Sequence, residues 1–429
     1  MLHLHETTRR RVGRVALIAL CAAPTLAMTA WIAWRLLPGG DARQSHRLST
    51  MLQATVAATE WRQPRPNVVR IASLSLGDAA EGSATFGEAR GLQWRFGGGR
   101  CVASLDSATV TCCRMTRLAK PFAAWLDQLA TPSLQVRCRQ LELRAGGTAP
   151  GGATAVLHGV QVDVERDAAG IVRCRLTGRA AKGAAATSQI RLTLEHSSGG
   201  VPTIHVMLDT AEAPVSASLL ACVAPGFDRL GAQATFTGMI GGRTDGETFV
   251  GAATGRLEQV DLAAALPAGS PHTVRGEATV ELSELKWRGD RVALLAGRID
   301  ARDALVSPSL PAAAAEYMRC PHERVMLRGG LDSGHDKLIA VDRLNCRFRL
   351  DGEGLLLTGD AASEENSWPG CLATSGGRPL AFEPGEGPMP AGAWIQFLLG
   401  PSQSWLPATR QAVDIAERLP LPGGGTVLR

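Results

Sequence analysis

Val15 to Trp34 holds twenty residues without a charge. At about 1.5 Å of rise per residue, a helix of that length matches the roughly 30 Å hydrocarbon core of a bilayer. No other feature constrains the chain as much, because it fixes what the remaining residues are attached to. Arg9, Arg10, Arg11 and Arg14 precede the run and only Arg35 follows closely. Excess basic charge stays on the cytoplasmic side. The expectation is a single-pass signal-anchor in the inner (cytoplasmic) membrane, with the N-terminus cytoplasmic and residues 36–429 periplasmic or otherwise extracytoplasmic. Trp31 and Trp34 suit the far interface. Pro24 lies mid-span, where lipid-embedded helices tolerate it. A cleaved signal peptide is the competing reading, with Ala27 and Ala30 as small residues near a cut. The run is long for a signal peptide and ends in Trp-Ile-Ala-Trp-Arg, which favours the uncleaved anchor.

The anchor also explains the net charge. The chain is +5 overall, yet residues 1–35 hold five Arg and one Glu, which leaves 40 basic and 39 acidic residues. The basic excess is a topology signal and predicts no nucleic-acid partner. The single Tyr, Tyr317, leaves no aromatic stacking platform either.

From Val68 the pattern is that of strands. Val68–Leu76, Leu92–Phe96, Cys101–Leu105, Leu134–Arg144, Val160–Glu165 and Ile171–Gly178 alternate apolar with polar residues, and Gly-rich turns separate them. The same pattern covers Ser188–Glu195, Val201–Leu208, Ala232–Gly242, Thr248–Leu262, Gly276–Trp287, Arg291–Arg302, Arg324–Leu327, Lys337–Leu344 and Cys346–Gly359. Arg288-Gly-Asp290 reads as a hairpin turn. Short helices are expected at Arg117–Leu129, Ala213–Pro225, Ser309–Met318, Ala393–Leu399 and Thr409–Leu419. Residues 36–62 read as a polar helical stalk, stopped by Pro64 and Pro66.

The predicted fold is mainly β: an N-terminal transmembrane helix, then a long, twisted, mostly antiparallel sheet with a few short helices. Its divisions are a basic N-terminus (1–14), the span (15–35), a stalk (36–66), a first β-rich region (67–212), a second (213–360), and a Gly/Pro-rich linker with a short helical tail (361–429). One apolar and one polar face suit either a closed sandwich or an open groove, since both need the same alternation.

The sequence carries no H-E-x-x-H, G-x-S-x-G or Walker A pattern. The sequence nominates no catalytic, cofactor-binding or metal residues. Nine Cys follow Cys21, and buried free thiols compete with one or two disulfides. Cys320-Pro-His322 lacks a second ligand pair at zinc spacing. Ser333 and His335 read as part of a turn, because triads assemble in space and not along the chain. Asp360, Glu364 and Glu365 read as a solvated loop ahead of a calcium site. The vicinal Cys112-Cys113 pair points one thiol to each face of a strand.

One block resembles a known family. A proline-flanked apolar segment spans Pro214–Pro225, followed by Phe236-Thr-Gly-Met-Ile-Gly-Gly242 and then Gly251-Ala-Ala-Thr-Gly-Arg-Leu-Glu-Gln-Val-Asp-Leu-Ala-Ala-Ala-Leu266. With the anchor and the long β region, residues 213–266 resemble the AsmA-like superfamily of envelope proteins and its TamB-like relatives. The resemblance implies a β-rich, groove-like periplasmic domain, associated with envelope assembly and lipid transport, with no catalytic residues to carry over. Its implied partners are the membrane through Val15–Trp34, lipids and envelope proteins. The alternative is a non-catalytic scaffold acting through protein partners.

Overall fold

The computed structural model describes residues 42, 45–46, 48–50, 55–77, 85–97, 100–112, 133–145, 154–180, 189–197, 203–321, 338–360 and 368–399, apart from 169, 222, 246–247, 268 and 386. Residues 15–34 lie outside them. No helix among the described residues is long and apolar enough to cross a membrane.

The described chain is mainly β, and one sheet holds its twenty strands. The first ten are β1 (Thr55–Thr59), β2 (Arg62–Arg65), β3 (Val68–Gly77), β4 (Thr85–Gly97), β5 (Arg100–Cys112), β6 (Ser133–Ala145), β7 (Thr154–Arg166), β8 (Val172–Ala180), β9 (Gln189–Ser197) and β10 (Thr203–Asp209). Then come β11 (Val215–Ser216), β12 (Thr235–Asp245), β13 (Thr248–Asp261), β14 (Val274–Arg275), β15 (Glu277–Arg288), β16 (Arg291–Val306), β17 (Ile339–Asp351), β18 (Gly354–Gly359), β19 (Cys371–Ser375) and β20 (Arg378–Phe382). Helices with described bounds are α1 (Ala217–Leu220), α2 (Leu262–Ala265), α3 (Ser309–Met318) and α4 (Ala391–Leu399), and residues 42, 45–46 and 48–50 are helical as well.

Strand neighbours follow chain order closely, and every pair is antiparallel except β5 with β6. That parallel pair needs a crossover. Residues 113–132 supply its length, and the helix expected at Arg117–Leu129 falls there, outside the described residues. Gly289 (φ +60°) and Asp290 form the two-residue turn expected between β15 and β16. Helix α3 matches its expected bounds and ends on Arg319 in the left-handed region (φ +54°), which lets the Cys320 N–H reach the Ala314 carbonyl.

Five strands share an irregularity that bends the alternation. In β3 the inward positions run Val69, Ile71, then Leu74, Leu76; in β4, Ala89 then Leu92; in β5, Leu105 then Ala108; in β6, Cys138 then Leu141; in β7, Val160 back to Leu157. Each strand spends one extra residue at the step. The registers place Ala72, Gly91, Asp106, Arg139 and Gly159 side by side there, so at this step the pairing keeps its register from β3 to β7 and shifts only where β7 meets β8. Gly91 and Gly159 take positive φ (+65° and +59°), the cheap way to insert a residue without losing pairing. A Cβ on Gly91 would overlap the Asp106 carboxylate.

Four expectations are corrected. The stalk's last third is strand, not helix: Val56 and Ala58 alternate inward in β1, which pairs with β3 along Thr55–Thr59. The stretch expected as linker contains β19 and β20, a hairpin turned by Gly376 and Gly377 (φ +58° and +71°) and hydrogen-bonded to β17 through β19. Two glycines at positive φ make the turn that matches strand twist. The helix expected over Ala213–Pro225 shrinks to the four residues of α1, because Val215–Ser216 pairs with β12. The strands expected at Lys337–Leu344 and from Cys346 are one strand, β17, turning at Gly352–Glu353 into β18. Arg324–Leu327 lies outside the described residues.

The sheet edges are capped. On β1, the Val56 N–H donates to Ser49 Oγ (2.9 Å) and the Ala58 N–H to Ser45 Oγ (3.1 Å). On β18, Leu355 exchanges two hydrogen bonds with Met389, and the Gly359 N–H donates to Glu383 Oε2 (3.0 Å). Such caps remove the template on which another strand would add.

Candidate functional site

The inner face of the sheet carries one continuous apolar row at right angles to the strands. Val69 pairs with Trp94, and the pairing continues through Ala103, Val136, Val162, Leu176, Leu192 and Leu208. It goes on through Ile240, Ala253, Leu285, Leu295, Leu350 and Leu355. Each residue sits directly across from the next on a neighbouring strand. At ~4.8 Å between strands, the row extends about 60 Å along the sheet.

Its halves differ in cover. Val136, Val162, Leu176, Leu192 and Leu208 on β6–β10 are all half-buried. From Ile240 onward the row is buried except at Leu295. The cover over Ile240 and Ala253 belongs to the segment between β10 and β12, where Ala213, Ala217, Ala224 and Ala234 have no exposure at all. Small side chains let this segment pack closely against the inner face. Helix α1 reaches β6, and β11 reaches β7. One buried cluster therefore unites Leu141 and Leu157 from one wall with Phe236 and Leu257 from the other. The plug is tied at its ends: Thr210 Oγ1 accepts from the Gly238 N–H (2.8 Å), and the Thr210 N–H donates to the Gly238 carbonyl (3.0 Å).

Beside the row, Gly242 and Gly251 face each other on β12 and β13. Their missing side chains make room for rings: a Cβ on Gly242 would overlap Phe249, and one on Gly251 would overlap the Trp287 indole. The two rings are 6.3 Å apart.

The opposite face is charged. A shallow depression of about 660 Å³ on β13, β15 and β16 is lined by Arg256, Glu258, Glu277, Glu281, Arg298, Asp300 and Arg302, among others. Many of these charges are paired. Arg298 donates from Nε to Asn345 Oδ1 (2.8 Å) and lies 3.1 Å from Asp360. Asn345 Nδ2 donates to Asp300 (3.1 Å), which also accepts from Arg343 (3.3 Å). Arg256 lies 3.1 Å from Glu258. A ligand here would compete with bonds already made.

A serine–histidine pair lies elsewhere. His272 Nδ1 is 3.0 Å from Ser309 Oγ, and its Nε2 is 2.7 Å from the Phe397 carbonyl. A carbonyl only accepts, so Nε2 carries the proton. The third partner is thus a neutral carbonyl of α4 and not the carboxylate that would stabilise an imidazolium. The geometry docks α4: Ser270 Oγ donates to the Leu398 carbonyl (2.8 Å), and the His272 ring stacks on Phe397 at 5.7 Å.

The sequence's other candidates are dispersed. Among the described residues no three His, Cys, Asp or Glu converge on a metal position. Asp360 pairs with Arg298 and Arg347, while Glu364, Glu365, Ser333, His335, His322 and Cys113 lie outside the described residues. His158 and His205 are exposed, and His196 is buried. Cys101, Cys138, Cys174, Cys320, Cys346 and Cys371 are buried free thiols. Burial pushes Cys174 up to about 12, and Cys320 and Cys346 up to about 11. Sequence reasoning foresaw an apolar face but missed the row, whose members come from fourteen strands, and missed His272–Ser309, which are 37 residues apart. Compared with known proteins, the chain matches no family model, no curated protein and no solved structure, so the site is read from its own geometry.

Proposed function

We propose that this chain is a non-catalytic, membrane-anchored, extracytoplasmic protein of the cell envelope that holds or guides lipid along the inner face of its sheet. The apolar row from Val69 to Leu355 supports this reading most directly. Directly paired residues share a face, so any one-sided sheet has such rows. What favours a ligand here is that the β6–β10 part of the row stays half-buried. The half-buried run from Val136 to Leu208 spans five strands, about 19 Å. That is enough for one extended acyl chain, which occupies about half of a ~30 Å hydrocarbon core. The resemblance of residues 213–266 to AsmA-like proteins points the same way. The uncharged run at Val15–Trp34 would hold the sheet near its lipid source.

The test is mass spectrometry of lipid carried by residues 44–429, exported without the anchor and purified without detergent. Stoichiometric phospholipid, lost on Leu176→Glu or Leu192→Glu, supports the reading. A folded, lipid-free protein rejects it.

A scaffold acting through protein partners is the second reading. The buried half of the row, Ile240 to Leu355, favours it, because that part of the face is already dry.

A further inference from the structure

Arg62 on β2 lies directly opposite Arg70 on β3. Like charges directly opposite each other destabilise a sheet. The registers gather more of them on the same outer face. Arg65 and Arg95 flank Val68 from either side, and Arg100 pairs with Gly97, two residues beyond Arg95. All five arginines are exposed. With Arg90 they stand against three acids, Glu60, Glu88 and Asp106, in residues 55–77, 85–97 and 100–112. Arg62 lies 3.2 Å from Glu60, and the Arg95 guanidinium donates to the Gln93 side-chain oxygen (3.1 Å). Arg65, Arg70 and Arg100 have no carboxylate partner among the described residues. Farther along the same face the arginines are matched: Arg144 lies 2.9 Å from Glu142, and Arg173 3.1 Å from Glu195.

The arginines end at an exposed ring. The turn between β2 and β3 and the turn between β4 and β5 lie side by side, joined by the Phe96 N–H donating to the Asn67 carbonyl (2.9 Å). Phe96 is 45% exposed, and its ring runs parallel to that of Trp94 at 6.1 Å. One rim of the sheet thus carries an aromatic in water beside unmatched arginines, a combination suited to a lipid–water interface. The chain also ties this rim near the uncharged run. Ser45 and Ser49 hold to β1, which pairs with β3, so only residues 35–44 separate Trp34 from that edge. Fully extended, ten residues span at most about 36 Å.

We propose that the β2–β5 rim is a second membrane contact, in which Arg65, Arg70, Arg95 and Arg100 hold the phosphates of anionic phospholipids and Phe96 enters the interface. The inference rests on the reading of Val15–Trp34 as an anchor, which supplies the membrane. A guanidinium fork matches a phosphate bidentately. A net negative surface also relieves the repulsion between Arg62 and Arg70. Trp94, which stacks on Phe96, belongs to the apolar row, so the contact sets one end of that row on the bilayer.

The test uses the full chain in nanodiscs of dioleoyl phosphatidylcholine, with or without dioleoyl phosphatidylglycerol. Phe96 is replaced by photoreactive benzoylphenylalanine, and lipid adducts are counted by mass spectrometry. Phosphatidylglycerol should raise the adducts at least about fivefold, the weight of one arginine near an anionic surface. Salt at ~1 M, where the Debye length is about 3 Å, should remove the increase. Arg70→Gln with Arg95→Gln should remove it too and leave the thermal midpoint unchanged, since both side chains are exposed. Equal adducts in both discs, indifferent to salt and to the arginines, overturn the contact and leave the lipid function standing. A chain retained by both discs without adducts overturns the contact and leaves the anchor standing. Retention by phosphatidylglycerol discs alone supports the contact and removes the anchor. Retention by neither rejects both.

Discussion

Leu176 on β8 lies directly opposite Leu192 on β9, both on the inner face and both half-buried. Exposure is what separates this pair from the buried leucines of the same row. Leu285 is 3% exposed and fills the core. Leu176→Glu and Leu192→Glu should therefore leave the fold intact and lower lipid occupancy at least about tenfold, the cost of a charge in an acyl-chain contact. Leu285→Ala should instead destabilise by about 2–5 kcal/mol. Urea unfolding midpoints set beside lipid-to-protein ratios separate the two effects. Equal losses of stability in all three variants would show that the half-buried run is only core.

Gly251 is demanded by a ring. Gly251→Val places branched carbon where the Trp287 indole lies. Overpacking of this kind costs about 1–3 kcal/mol. Gly251→Val combined with Trp287→Ala should recover part of that loss, and a double-mutant cycle on denaturation midpoints measures the recovery. Strict additivity would mean that the two positions are not in contact.

Asn345, 0% exposed, joins Arg298 to Asp300. Asn345→Ala removes the amide and leaves both ions short of a partner. The expected loss is about 1–3 kcal/mol. Asn345→Asp should be worse, because it sets a second carboxylate against Asp300. Thermal midpoints near pH 7 check the order wild type, Ala, Asp.

The buried thiols give the molecule an alkaline limit. Burial favours the neutral thiol, so Cys174 is pushed up to about 12 and Cys320 and Cys346 up to about 11 in the fold, above the ordinary thiol value of 9.0. Their contribution is complete below the unfolded value and is lost as pH rises from about 9 through the folded values. Stability should fall across that window, and Cys174→Ser should reduce the slope. Alkylation by iodoacetamide at pH 8, read by mass spectrometry, should spare these three cysteines in the folded protein and modify them in urea. Rapid native labelling of Cys174 would show that its site is open.

The docking of α4 depends on one ring. His272 holds α4 through the Phe397 carbonyl. His272→Ala should make Ala391–Leu399 susceptible to limited proteolysis while β3–β17 remain protected. Unchanged protection of α4 would assign its docking to Trp394 and Phe397 alone.

Alternation along single segments was enough to locate most strands, the Gly289–Asp290 turn and helix α3, because those depend on neighbours in the chain. Local patterning misjudged Thr55–Thr59 and Cys371–Phe382. Val56 and Ala57 fit a helical spacing as well as a strand, and Gly/Pro/Glu-rich flanks hid the hairpin. In both places pairing with distant strands settled the conformation. The step from Ile71 to Leu74, or from Leu105 to Ala108, is visible in the sequence as a break in period. Only the registers show that five such breaks fall on one line. The same holds for the face on which the proposed function rests. The sequence by itself determined that each strand has a dry and a wet side, since that follows from a two-residue period. Tertiary structure alone decided that fourteen apolar residues stand in one row, that segment 213–236 covers part of it, and that Trp287 is buried over Gly251. Those relations are set by the register between strands, which is a property of pairs and is written in no single strand.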